Sequence, residues 1–145
     1  MKAFFVHLCL GMSLVCASAE ISQAECGNGS SKIDDANRKF SVVVPKSAGL
    51  GEQSYDDIGC AVASRNGECA TRQGMFDSGA LTWDYATGEQ LPVEKAYFVI
   101  KTDVKTPQSY GVVGFKDKAA AEKFSSEHGK GKVVKWFELV DEKLK

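Results

Sequence analysis

"GVVGFKDKAAAEKFSSEHGKGKVVKW", residues 111–136, carries the signals that decide the fold. It opens with a β-branched run that ends at Phe115, a strand pattern. Asp117 follows as the cap of a helix over "KAAAEKFSSEH", in which Ala120, Ala121 and Phe124 form an apolar stripe at helical spacing. Gly129 stands where helices end in a left-handed residue. "KVVKWFEL" then reads as a closing strand. Immediately upstream, "KAYFVIKTDV" is another strand and "KTPQS" a turn around Pro107. The unit is strand–strand–helix–strand.

The first half repeats this order. "KFSVVV" is a strand stopped at Pro45, "KSAGLGE" a turn and "QSY" a short second strand. Asp56 or Asp57 caps a helix that runs to about Arg65. A loop rich in glycine and polar residues then leads to Ser78, "ALTWDY" is a strand, and "ATGEQLP" is a turn. Tyr55-Asp56-Asp57 matches Phe115-Lys116-Asp117, and Leu81-Thr82-Trp83 matches Val134-Lys135-Trp136. The first copy carries about seven extra residues between helix and strand, an insertion that holds Cys69 and Met75. The expected class is α+β, with duplicated ββαβ units at 40–92 and 93–145. A flexible N-terminal segment at 20–39 precedes them.

The beginning of the chain, "MKAFFVHLCLGMSLVCASAE", has the order of a secretory signal peptide. Lys2 supplies the positive end, the run from Ala3 to Val15 is apolar, and Ala17-Ser18-Ala19 is a small-x-small cleavage site. The run is shorter than the roughly 20 apolar residues of a membrane span. Lipidation at Cys16 is the rival reading. Val15 stands before it where a small residue belongs, so cleavage after Ala19 and release into the periplasm are expected. The whole chain has 18 basic against 19 acidic residues, and the signal removes Lys2 but no acid. That balance gives no attraction to nucleic acid or anionic membrane.

Cleavage leaves few soft or imidazole side chains: Cys26, Cys60, Cys69, Met75 and His128. Three cysteines in an oxidising compartment suggest one disulfide plus a free thiol or a metal-held thiolate. Cys60 aligns with Ala120, a small helix position facing a sheet. Packing is therefore its first reading, a bridge to Cys69 its second and metal ligation its third. Cys26 is equally a ligand or half of a bridge to Cys60 or Cys69. The favoured bridge is Cys60–Cys69. Met75 is incidental or a ligand, and His128 is a helix-end cap or a ligand. Signatures of nucleophilic, phosphate-binding or zinc-protease sites are absent, and Asp56-Asp57 reads as a cap with a solvated neighbour. No enzyme activity is expected.

The words "YDDIGC", "DYATGEQLPVEKAYFV", "TDVKTPQSYG", "FKDKAAAEKF" and "EHGKGKVVKWFEL", in order from Tyr55 to Leu139, make the chain resemble the NosL family, copper-binding periplasmic accessory proteins of nitrous oxide reductase. The resemblance implies two ββαβ units, and Cu(I) as cargo delivered to a cupro-enzyme or another copper-transfer protein. It also implies Cys26 as a ligand, because Cys26-Gly27 matches the family's Cys-Gly. Asn28 stands where the family has methionine, and Pro107-Gln108 replaces its Pro-Met. An amide is a poor ligand for a soft cuprous ion, so the set left is Cys26, Met75 and His128, with Cys60 in reserve. Two other readings stay open: a metal-free periplasmic binding module of the same fold, and a thiol–disulfide protein.

Overall fold

Valine triplets pair well on a pleated, half-buried surface, and the first sheet is built around one. β1 (Val42–Val44) lies between β2 (Gln53–Tyr55) and β3 (Leu81–Trp83), and β4 (Gln90–Pro92) extends the sheet to the order β2-β1-β3-β4. A second sheet has β5 (Tyr97–Ile100) between β6 (Val113–Phe115) and β7 (Lys132–Lys135). All of these pairs are antiparallel. The computed structural model describes residues 26, 29–46 and 50–144. The expected signal peptide at 1–19, Cys16 and Asn28 lie outside them.

The register makes the duplication explicit. Val42 faces Tyr55 on one side and Thr82 on the other, while Tyr97 faces Phe115 and Lys135. Tyr55 thus corresponds to Phe115 and Thr82 to Lys135, the same correspondence that the sequence words predict. Each second strand feeds a helix: β2 leads to α1 (Ile58–Asn66), followed by α2 (Ala70–Gly79), and β6 leads to α3 (Lys118–Glu127). Asp57 caps α1 by accepting from the Gly59 N–H, and Asp117 caps α3 by accepting from the Ala120 N–H. The fold is α+β with two ββαβ units, as expected.

Three local expectations are corrected. The insertion is the helix α2, not a loop. Gly74 and Gly79 disfavour a helix there, but burial of Phe76 and the pairing of Arg65 with Asp77 hold it against the body of the protein. "ATGEQLP" contributes β4 as well as a turn. The last apolar run stops being a strand at Lys135 and becomes α4 (Trp136–Leu139), because the Glu138 carboxylate takes the Lys135 N–H at 2.8 Å. That turn directs the Trp136 ring inward, where it is fully buried against Phe98.

Of the stretch 20–39, the part from Gly29 is anchored. Gly29–Ser31 runs parallel beside β2: the Ser54 N–H donates to the Gly29 carbonyl at 2.8 Å and the Ser31 N–H to the Ser54 carbonyl at 2.9 Å. Asp34 and Asn37 then shape a turn that enters a 3-10 helix at Arg38–Phe40.

Two carboxylates hold the halves in place. Asp77 accepts from Arg65 Nε at 2.9 Å, Arg65 Nη2 at 2.7 Å and Trp136 Nε1 at 2.7 Å. Asp84 accepts from the N–H groups of Ala86, Thr87 and Lys116. Burial pushes both carboxyls up, but these hydrogen bonds outweigh it and both end below the usual carboxylate range. Groups shifted down on folding stabilise above the unfolded carboxylate range, near pH 4, and lose that stabilisation as pH falls through their folded values. Asp77→Asn is expected to be less stable than wild type at neutral pH, with the gap closing in acid. Urea midpoints followed from about pH 6 down to pH 2 measure this, and a gap independent of pH refutes it.

Candidate metal centre

Gly29–Ser31 pairs along β2, the strand that leads into the N-terminal end of α1. There Cys26 meets Cys60, the third residue of α1. The two are joined as a disulfide, with their Cα atoms 5.3 Å apart. Cys60 is 1% exposed and Cys26 is half-buried on the same core.

The expected Cys60–Cys69 bridge is therefore replaced by Cys26–Cys60. The reason is the geometry of α1. It spans 9 residues, so at about 1.5 Å per residue its ends lie about 13 Å apart. Bridged Cα atoms lie within about 7 Å. Cys60 is in the first turn of this helix, whereas Cys69 lies past its end as the N-cap of α2. Cys69 is itself disulfide-bonded, to a residue outside the described ones, so the expected free thiol or metal-held thiolate among these three cysteines is not found.

Tyr110 completes the surroundings of the sulfurs. Its hydroxyl lies 3.6 Å from Cys26 Sγ. Its ring rests on Gly59, so closely that a Cβ at that position would lie 2.1 Å from Tyr110 Cγ. The glycine before Cys60 is thus required by the ring, a demand invisible in the sequence because the two lie in different units.

Asp57 brings Tyr110 to this place. The carboxylate is fully buried. Oδ1 accepts from the Gly59 N–H at 2.9 Å, and Oδ2 accepts from Thr106 Oγ1 at 2.6 Å and the Gln108 N–H at 2.9 Å. Thr106 Oγ1 in turn accepts from the Gly111 N–H at 3.1 Å. The loop turns through left-handed conformations at Ser109 (φ 61) and Gly111 (φ 62). One helix cap of the first unit thereby fixes the loop of the second. Pro107-Gln108 is held two residues from the tyrosine that touches Cys26.

The other candidates lie elsewhere. Met75, on α2, lines a groove with Pro45, Lys46, Thr71, Gly74 and Ser78. His128 is the C-cap of α3; its Nδ1 lies 3.0 Å from Asp103 Oδ1 and its ring stacks on Phe124. Cys26 and Cys60 are the two candidates that the fold brings together. Among the described residues, no group of three or more His, Cys, Asp or Glu is placed to hold a metal ion. The bridged sulfurs are not thiolates, and the thiolate is the form that ligates metal. In chemical type the pair suits a soft monovalent ion once it is reduced.

Among the described residues, no helix is long and apolar enough to cross a membrane. The family model described as NosL matches residues 55–144, which include Cys60, Met75, Tyr110 and His128 and leave Cys26 outside. No curated protein and no solved structure matches the chain.

Proposed function

The chain belongs to the NosL family, and from that premise we propose that it is an exported, non-catalytic copper-binding accessory protein that carries Cu(I) in the periplasm to a cupro-enzyme such as nitrous oxide reductase. The observation that carries the reading is the placement of Cys26. It lies outside the matched region, yet the strap along β2 sets it against Cys60 and Tyr110. A soft ion is held best by thiolates and thioethers, and this is where two sulfurs are adjacent.

Cys26 is proposed as the principal ligand. Met75 and His128 remain proposed auxiliary ligands. For either to act, the Met75 groove or the His128–Asp103 pairing must open toward Cys26, so each contributes less than the cysteine. Gln108 leaves the loop without the thioether that the family resemblance implies at that position.

Competition between the reduced protein and a chromophoric Cu(I) chelator tests this. One Cu(I) per chain is expected. Cys26→Ser is expected to weaken binding at least about tenfold, because loss of even a partner that merely orients a ligand costs about 10–100-fold in metal affinity, Met75→Leu less, and Cys69→Ser hardly at all. Equal affinities for wild type and Cys26→Ser remove Cys26 from the site. The second reading, a metal-free binding module, is favoured by the engagement of both Cys26 and Cys60 in one disulfide. It stands if the reduced wild type takes up no copper.

A further inference from the structure

We propose that Cys26 and Cys60 form a redox-gated two-thiolate site, closed to Cu(I) as the disulfide and open to it when reduced, with Cys60 as the second ligand. This rests on the copper reading above and adds to it both a ligand and a condition for loading.

The pairing carries the proposal. Two cysteines with Cα atoms 5.3 Å apart are close enough for both sulfurs to reach one ion between them. Cu(I) accepts such low-coordinate sulfur sites, because soft thiolates are its preferred ligands. The surroundings suit this. The Tyr110 hydroxyl, 3.6 Å from Cys26 Sγ, faces the place where negative charge collects when the thiols lose their protons. Cys60 stands in the first turn of α1, where a thiolate is favoured by the helix N-terminus. Asp57, the nearest carboxylate along the chain, is engaged by Gly59, Thr106 and Gln108.

The burial difference sets the direction of opening. Cys60 is 1% exposed and Cys26 is only half-buried, so Cys26 is the more reachable residue of the pair. The reductant is a dithiol. Its thiolate attacks Cys26 Sγ and forms a mixed disulfide; the Cys26–Cys60 bond breaks, and its electron pair leaves on Cys60 Sγ. The second thiol of the reductant, after losing its proton, attacks its own mixed-disulfide sulfur and releases Cys26 as a thiolate. The dithiol becomes a disulfide and two electrons enter the protein. Cu(I) then binds with both cysteines deprotonated, and its oxidation state does not change.

The experiment uses the mature chain, with Cu(I) supplied anaerobically as its acetonitrile complex so that no thiol touches the bridge. Peptide mapping first confirms Cys26–Cys60 in the oxidised sample. Oxidised protein is expected to bind at least 100-fold more weakly than reduced protein, and preloaded copper is expected to slow reformation of the bridge by a thiol oxidant. Equal binding by the two forms overturns the gate. Cys60→Ala, with its fold checked by thermal melting, is expected to bind at least tenfold more weakly than reduced wild type. If it binds equally, Cys60 is not a ligand, while the copper reading survives through Cys26. Should the variant fail to fold, copper-edge X-ray absorption of the reduced Met75→Leu/Cys69→Ser protein, which leaves Cys26 and Cys60 as the sulfur donors of the mature chain, decides. Two or more sulfur neighbours support the site and one overturns it. Absence of copper uptake by reduced wild type overturns both readings.

Discussion

Asp57→Ala is expected to destabilise the protein by about 4 kcal/mol and to loosen the loop at 103–111, because each buried donor left without a partner costs about 1–3 kcal/mol and the effects do not add fully. The substitution orphans the Gly59 N–H, the Gln108 N–H and the Thr106 hydroxyl together. Asp57→Asn is expected to fall between. Its carbonyl keeps one acceptor, but its amide presents N–H groups where the Gln108 N–H needs an oxygen. Chemical denaturation measures the global loss. Hydrogen exchange at residues 106–111 measures the local one, and protection there unchanged in Asp57→Ala would show that the loop is held by something else.

The second large effect is expected at Trp136. Truncating a buried tryptophan to alanine costs about 3–5 kcal/mol. Here the ring is fully buried against Phe98, and its Nε1 donates to Asp77 at 2.7 Å. Trp136→Phe retains most of the packing but loses that donor, and is expected to cost about 1–2 kcal/mol. Because Asp77 lies on α2, the indole links the inserted helix of the first unit to the end of the second. A double-mutant cycle of Trp136→Phe with Asp77→Ala, which removes the acceptor, followed by urea denaturation, should return a coupling of about 0.5 kcal/mol or more. Strict additivity would mean that the hydrogen bond contributes nothing beyond packing.

What could be read from the sequence was local. Asp57 and Asp117 announce their helices within a few residues, and the aromatic two positions before each acid recurs because both units end their second strand in the same way. The α+β duplication follows from those short words. α2 was hidden because Gly74 and Gly79 argue against a helix, while the forces that impose one, Phe76 in the core and Asp77 on Arg65 and Trp136, come from distant segments. The inward turn at Trp136 was hidden because valine-rich and aromatic residues continue across a boundary that one side chain, Glu138, sets.

The sulfur pairing was illegible for a related reason. Cys26 and Cys60 are 34 residues apart, and their meeting depends on the parallel pairing of Gly29–Ser31 with β2, to which no hydrophobic period points. Gly59 and Tyr110 were missed in the same way. A glycine in "DDIGC" has a visible cause only when the ring from the other unit is placed over it.

The strap of Gly29–Ser31 also bears on colloidal behaviour. An uncovered edge strand offers a row of vacant donors and acceptors to any passing chain, a common start of edge-to-edge association. On β2 the outward N–H and carbonyl of Ser54 are taken by Gly29 and Ser31, and the sulfur bridge three residues before Gly29 moors the covering piece. Reduction of the bridge removes that mooring and leaves the cover held by the two Ser54 backbone hydrogen bonds and the Ser54 side chain on Ser31.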